Sequence, residues 1–208
     1  MKKAMKYIPV IAGVMLVTLA FKPGADVPEE LAIGSSIPKA DVKMKDAVSG
    51  NDISLKDAMK ENGLVVIFSC NTCPYVGMYE DRMKEGYLQA SAFKVGYILV
   101  NSNEALRDNE DSFDAMKTHA SDKGYKMPYV LDVNSDLANA FGATKTPHVF
   151  VFDKNGKLVY RGAIDDNPKD AGASKERYLR DAIGFVSQGK TMPNNSTKSI
   201  GCSIKRKQ

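Results

Sequence analysis

The chain has 208 residues, of which 43% are hydrophobic, and a formal net charge of +4. This length and composition suit one domain with a buried core and exclude a chain that is disordered throughout. Three lysines lie within the first 20 residues and five basic residues lie within 190–208, so residues 21–189 carry a net charge of −4. A slightly acidic body argues against a nucleic-acid partner, which would need a basic groove.

The first 20 residues have the pattern of a secretory signal peptide. A lysine-rich start precedes an uncharged apolar run over 7–21, and Thr18 and Ala20 are small enough to flank a cleavage site. The run is too short for a comfortable membrane span, so an uncleaved signal that tethers the domain is the alternative. We therefore expect export to the periplasmic or extracytoplasmic side, where disulfides persist, with membrane contact only through an uncleaved signal.

Apolar runs and helical periodicity alternate along the rest of the chain. Residues 21–32 are predicted to be a linker, 33–190 the domain, and 191–208 a basic, solvated tail. Ser174 is predicted to cap the last helix. The predicted strands are 42–48, 64–68, 93–100, 128–132, 148–152 and 157–161, and the predicted helices are 55–61, 74–92, 112–123, 136–141 and 174–188.

This order of elements predicts an α/β fold with one central sheet. Helices between successive strands imply right-handed crossovers and parallel strands in the middle of the sheet. The turn at 153–156 joins the last two predicted strands in a β-hairpin, which adds antiparallel pairing at one side. We therefore predict a mixed β-sheet flanked by helices, with a hairpin and a helix at its C-terminal end and no second domain.

The strongest chemical signal is a Cys-x-x-Cys pair where a buried strand meets a helix. Cys70 and Cys73 follow the apolar run 64–68, and Pro74 suits a first helical turn because its missing N–H would have no partner there. A helix N-terminus favours a thiolate, and this spacing lets the two sulfurs form a reversible disulfide. We predict that Cys70 is the more exposed thiol and attacks, and that Cys73 resolves.

Two other uses of the pair remain open at the level of the residues. A zinc site needs two more ligands, and the remaining His119, His148 and Cys202 form no second tight pair, so no metal is predicted. A non-enzymatic module with a fixed structural disulfide or two inert thiols is the other alternative. The sequence has no phosphate-binding glycine loop or flavin signature, so no cofactor is predicted beyond a redox-active Cys70–Cys73 disulfide.

Six segments together resemble the thioredoxin superfamily. More closely, they resemble its peroxiredoxin-like redoxins, which are related to alkyl hydroperoxide reductase and thiol-specific antioxidant proteins. The likeness covers about residues 33–205 and implies a thioredoxin-like fold. The segments that carry it are 34–38, 68–76, 132–138, 141–147, 159–166 and 200–205.

The resemblance implies an exported thiol–disulfide oxidoreductase that exchanges disulfides through Cys70 and Cys73. It also implies a cis Thr146–Pro147 bond whose loop lies beside Cys70 and offers backbone groups to an extended substrate peptide. The expected partners are thiols and disulfides of proteins or small molecules. An upstream protein reductant is expected to supply the electrons.

The same resemblance implies a second enzymatic function. Cys73–Pro74 resembles the peroxide-attacking position of peroxiredoxins, while Cys70 stands where a hydroxyl would orient peroxide. The alternative is therefore a thiol peroxidase that uses Cys73, with Cys70 or Cys202 resolving and peroxides as substrates.

Three positions leave the proton and thiol chemistry open. Leu64 stands where thioredoxins keep a buried aspartate, so no general base for Cys73 is identified. His148 follows the proline and either approaches the thiols or is an exposed or core-rim histidine. Cys202 is either an unpaired thiol in a flexible tail or a third redox partner that folds back toward Cys70 or Cys73.

Overall fold

The computed structural model describes Met1 and residues 29–207. The rest of the predicted signal peptide and residues 21–28 of the predicted linker lie outside the described residues. Within the described part of the chain, no helix is long and apolar enough to cross a membrane.

Nine strands and five α-helices, numbered in chain order, form the framework of the described residues. The strands are β1 (Met44–Lys45), β2 (Asp52–Ile53), β3 (Leu64–Ser69), β4 (Gly96–Asn101), β5 (Tyr129–Leu131), β6 (Lys145–Thr146), β7 (His148–Phe152), β8 (Leu158–Gly162) and β9 (Cys202–Ser203). The helices are α1 (Leu55–Ala58), α2 (Pro74–Ala92), α3 (Phe113–Asp122), α4 (Asp136–Phe141) and α5 (Tyr178–Ser187).

The central sheet has five strands in the order β5-β4-β3-β7-β8. Strands β3, β4 and β5 run parallel, whereas β7 runs antiparallel to β3, and β8 antiparallel to β7. Strands β1 and β2 pair with each other, and β6 pairs with β9. The predicted mixed α/β sheet with a C-terminal hairpin is confirmed.

Strand β3 lies at the centre of the sheet, and all six of its residues are buried. Val65 and Ile67 face the cluster formed with α2, α3 and α5, while Val66 and Phe68 face the cluster formed with α1 and α4. Burial of each such side chain contributes about 1.5–3 kcal/mol. Packing on both faces therefore fixes the end of β3, from which the cysteine turn starts.

Two predicted helices differ from the observed ones. Helix α5 begins at Tyr178, because Ser174 does not cap it and instead donates to Asp166 Oδ1 at 2.8 Å. Helix α1 ends at Ala58, where the next residue, Met59, is extended. In contrast, α2 has the predicted bounds, with Pro74 in its first turn.

The C-terminal segment packs on the domain, so the expectation of a solvated tail is wrong. Ile204 is 6% exposed and lies in the cluster that contains Phe68. The Arg206 guanidinium donates to the carbonyl oxygen of Ala143 at 2.6 Å. The sequence of this segment suggests solvation because its few apolar residues are separated by polar ones, yet Ile204 reaches the core.

Glu80 is a buried charge on α2 that predicts a pH dependence of stability. It is 7% exposed, and neither carboxylate oxygen has a hydrogen-bond partner among the residues that the structure describes. Burial raises its pKa from 4.5, although the nearby Tyr125 hydroxyl acts in the opposite direction. The folded protein therefore holds this proton more tightly than the unfolded chain, and stability falls as pH rises above 4.5.

We expect Glu80→Gln to raise the free energy of unfolding by on the order of 1 kcal/mol at about pH 8. The difference from wild type should shrink toward about pH 4, where Glu80 is protonated in both states. Urea denaturation at both pH values measures it, with Glu85→Gln, an exposed change on the same helix, as the control. A Glu80→Gln variant no more stable than wild type at the higher pH would contradict this assignment.

Candidate active site

The turn between β3 and α2 carries both cysteines of the pair. Cys70 follows directly after Ser69 of β3, and Cys73 is the N-cap residue of α2, with extended backbone angles (φ −74°, ψ 121°). Pro74 occupies the first helical turn, where a missing N–H costs no hydrogen bond. Cys73 therefore lies where unpaired backbone N–H groups and the helix dipole stabilise a negative charge.

The fold brings three cysteines and one threonine together. Cys73 Sγ lies 2.6 Å from Cys202 Sγ and 3.1 Å from the carbonyl oxygen of Thr146. Cys70 Sγ lies 3.4 Å from Thr146 Oγ1. None of the three cysteines is in a disulfide in this structure. Cys73 is therefore in contact with the third cysteine as well as being part of the pair.

Strand β9 places Cys202 at the site. It pairs antiparallel with β6 in a register that sets Cys202 opposite Thr146. A side chain at the preceding Gly201 would put its Cβ 2.0 Å from the carbonyl oxygen of Thr146, so only glycine allows this approach. Cys202 thus lies in a strand and not in a flexible tail. Its redox role stays a prediction.

The electrostatics of the pair favour a thiolate on Cys73. A hydrogen bond from the Cys70 thiol is the largest cause that lowers the pKa of Cys73 to about 4, and hydrogen bonds from Cys202 and the Val76 backbone add to it against burial. The same interaction with Cys73, together with burial, raises the pKa of Cys70. The directions of the two pKa shifts favour the thiolate on Cys73 and the thiol on Cys70.

This arrangement reverses the expected exposure of the two thiols. Cys70 was predicted to be the more exposed, but it is 2% exposed and Cys73 is 5% exposed. The prediction was wrong because it treated the earlier residue as the outer one. Cys70 lies at the end of a central strand against Thr146, whereas Cys73 lies at the helix start and carries the lowered pKa.

The predicted cis bond between Thr146 and Pro147 is confirmed. The expected use of the Thr146 backbone differs, because β9 already pairs with it and Thr146 is only 1% exposed. The side-chain hydroxyl and the carbonyl of Thr146 instead contact the two sulfurs of the pair. The position expected for a substrate chain is occupied by the chain's own C-terminal strand.

Neither histidine contacts the thiols. His148 is fully buried, its ring packs against Phe150 at 4.5 Å between centroids, and burial lowers its pKa to about 3. His119 lies beside Tyr125, 3.4 Å from its hydroxyl. His148 is therefore a fully buried core residue, so both predicted placements, beside the thiols or exposed at the rim of the core, are wrong.

Among the described residues, no group of three or more His, Cys, Asp or Glu side chains has the arrangement of a metal site. A cavity of about 610 Å³ lies between α2 and α5, and none of the three cysteines lines it.

A buried polar network that sequence reasoning missed holds the cysteine turn. The Asp111 carboxylate accepts hydrogen bonds from the Asn71 backbone N–H at 2.8 Å, from Asn101 Nδ2 at 2.7 Å and from Asn103 Nδ2 at 2.8 Å. The Tyr129 hydroxyl donates to Asn71 Oδ1 at 2.8 Å. The polar residues that end β4 were a usable signal, but nothing in the local sequence marks Asp111.

The fold and the paired thiols define a thioredoxin-fold oxidoreductase. The chain belongs to the AhpC/TSA family, because the model of that family matches residues 33–161. It is therefore an oxidoreductase enzyme, and the alternative of a non-enzymatic module is set aside.

Solved structures agree with this fold. An uncharacterized conserved protein from Geobacillus kaustophilus is 32% identical, with a TM-score of 0.78 over 85% of this chain and 93% of its own. A putative thiol:disulfide interchange protein DsbE from Chlorobium tepidum is 17% identical, with a TM-score of 0.59 over 76% of this chain and 99% of its own. The peroxidoxin BcpB from Mycobacterium tuberculosis is 12% identical, with a TM-score of 0.56 over 76% of this chain and 96% of its own. No curated protein matches the chain.

We expect Asp111→Asn to destabilise the protein by about 1–3 kcal/mol. The Asp111 carboxylate accepts three N–H hydrogen bonds, whereas the asparagine amide replaces one of the two acceptor oxygens with an NH₂ donor that would face an N–H group. The turn should also loosen, so exchange through the cysteine pair should slow. Chemical denaturation and a disulfide-exchange assay measure the two effects. Asp108→Asn, an exposed change in the same loop, is the control and should alter neither. Equal stability of the two variants would rule out this role for Asp111.

Proposed function

We propose that the chain is a thiol–disulfide oxidoreductase in which Cys73 attacks and Cys70 resolves. The observation that carries the proposal is the position of Cys73, at a helix start and with a pKa lowered to about 4 by its neighbours. At neutral pH such a sulfur is ionised and nucleophilic. The raised pKa and deeper burial of Cys70 instead suit a thiol that reacts second.

The proposed reaction has two exchange steps. The Cys73 thiolate attacks one sulfur of a substrate disulfide, forms a mixed disulfide and releases the first substrate thiolate, which takes a proton from water. Cys70 then loses its proton and attacks Cys73 Sγ, which forms the Cys70–Cys73 disulfide and releases the second substrate thiolate. The substrate gains two electrons and the pair loses two.

The second step is eased by the first. The largest cause of the raised pKa of Cys70 is its hydrogen bond with Cys73. Once Cys73 is in a mixed disulfide, it carries no negative charge that would hold the proton on Cys70. The pKa of Cys70 should then fall, so the resolving thiolate forms only after the substrate has reacted.

A dithiol must reduce the pair again. We propose that an upstream protein thiol does so, and that the enzyme works outside the cytoplasm. The basis for export is the amino-acid pattern of residues 1–20, together with the need for a compartment in which disulfides persist.

A thiol peroxidase is the second candidate, favoured by the low pKa of Cys73 directly before Pro74. Its thiolate would attack a peroxide oxygen to give a sulfenic acid and release the remaining oxygen as water or alcohol. Cys70 would then displace hydroxide as water and close the disulfide. Thr146 Oγ1, the hydroxyl beside the pair, contacts Cys70 rather than Cys73, which weighs against this use.

We expect dithiothreitol-driven reduction of protein disulfides to fall to the uncatalysed rate in Cys73→Ser. The double variant Cys70→Ser/Cys202→Ser should retain the first step and accumulate a mixed disulfide on Cys73, because both neighbouring thiols are absent. Ser203→Ala is the matched control and should behave as wild type. Hydrogen peroxide consumption is measured in parallel on the same preparations.

Two outcomes would count against the proposal. Full exchange activity in Cys73→Ser would remove Cys73 from the chemistry. Rapid peroxide turnover that survives Cys70→Ser and disappears in Cys73→Ser, with little disulfide exchange in wild type, would favour the peroxidase.

A further inference from the structure

The three sulfurs differ in how solvent reaches them. Cys70 is 2% exposed and Cys73 is 5% exposed, whereas Cys202 is only partly buried. Cys202 Sγ lies 2.6 Å from Cys73 Sγ. Cys202 is therefore the most exposed of the three cysteine residues and lies in contact with Cys73.

Strand β9, which carries Cys202, is anchored beyond that residue. The Ile204 N–H donates to the carbonyl oxygen of Thr144 at 3.0 Å, and the Ile204 side chain is 6% exposed. The Lys205 N–H donates to Asn103 Oδ1 at 2.9 Å, and its carbonyl accepts from the Ala105 N–H at 2.8 Å. Removal of β9 would break these contacts, so a route to Cys73 that leaves the strand in place is favoured.

We propose that Cys202 is a third redox-active thiol, which forms a disulfide with Cys73 and through which that disulfide reacts with external thiols. The inference rests on the proposed function, because it requires Cys73 to be the reactive sulfur of the pair. It adds a residue at which the oxidised enzyme meets its reductant.

The first step is an internal exchange. Starting from the Cys70–Cys73 disulfide, the Cys202 thiolate attacks Cys73 Sγ, and the Cys70 sulfur leaves as a thiolate. Cys70 takes up the proton that Cys202 lost. One S–S bond forms and one breaks, so the oxidation state of the protein does not change.

The second step is reduction by an external dithiol. One thiolate of the partner attacks Cys202 Sγ and expels the Cys73 thiolate, and the partner's second thiol then displaces Cys202. The partner loses two electrons and becomes a disulfide. The partner dithiol gives up two protons. One is transferred to the Cys202 sulfur and the other goes to solvent, because Cys73 stays ionised.

The choice of sulfur follows from leaving-group chemistry as well as access. A thiol of low pKa leaves faster from a disulfide. Among the three cysteines, only Cys73 has a lowered pKa. Attack at Cys202 expels Cys73. Attack at Cys73 Sγ of the same disulfide would instead expel Cys202, whose pKa is raised.

Disulfide mapping tests the proposed bond. Reduced Cys70→Ala protein is treated with diamide, quenched in acid, alkylated and digested without reduction. We expect a single intramolecular disulfide that joins the peptides of Cys73 and Cys202, and no such peptide pair from Cys70→Ala/Cys202→Ser. If both cysteines of Cys70→Ala stay alkylatable after oxidation, the proposal is wrong. Wild type is mapped as well, and there the Cys73–Cys202 link should coexist with Cys70–Cys73.

Kinetics test the route. Oxidised wild type, Cys202→Ser and Ser203→Ala are reduced by a protein dithiol, for which thioredoxin is the probe. Cys202→Ser should be reduced at least tenfold more slowly than wild type, a loss of about 1.4 kcal/mol or more in transition-state stabilisation. Ser203→Ala, an exposed change beside it, should match wild type.

The failure of this inference is distinguishable from failure of the proposed function. If Cys202→Ser is reduced as fast as wild type while Cys73→Ser is inactive, Cys70 and Cys73 suffice and the role of Cys202 is overturned. If Cys202→Ser is reduced faster, β9 is a cover that blocks the pair, which also overturns it. If Cys73→Ser remains active, the proposed function itself fails.

Discussion

The interaction between the Cys70 and Cys73 side chains is the one on which the site depends. It lowers the pKa of Cys73 and raises the pKa of Cys70, so that Cys73 is the nucleophile and Cys70 is the thiol that reacts second. The fold makes this contact by ending a fully buried strand at Ser69 and starting a helix at Pro74. Packing on both faces of β3 fixes the end of this strand and therefore restricts the turn between β3 and α2.

Contacts that are distant in sequence complete the site. Asp111 fixes the turn through the Asn71 N–H, and Thr146 touches both sulfurs of the pair. Strand β9 brings Cys202 against Cys73 from a position 129 residues later in the chain. The site is thus assembled from a local turn, which supplies the pair, and from distant segments, which set the surroundings of each sulfur.

This division explains what could be predicted before the fold was known. The bounds of α2 and β7 were predicted because proline, glycine and apolar periodicity mark them locally. The cysteine pair and the cis Thr146–Pro147 bond were accessible through a motif and a family resemblance. The start of α5 was missed because Ser174 binds Asp166 instead of a helix N–H, a contact that only the folded loop reveals. The exposure of Cys70 and Cys73 depends on Thr146 and on β9. Two buried apolar residues, Met192 and Ile204, are too weak a signal in a polar segment to show that 191–208 returns to the site.

The most direct test of the account is the ultraviolet absorbance of the thiolate in the reduced protein as a function of pH. The account predicts a transition with a pKa of about 4 that is present in wild type, absent in Cys73→Ser, and shifted upward in Cys70→Ala, which lacks the hydrogen-bond donor. A transition that persists in Cys73→Ser and disappears in Cys70→Ser would assign the thiolate to Cys70 and contradict the account.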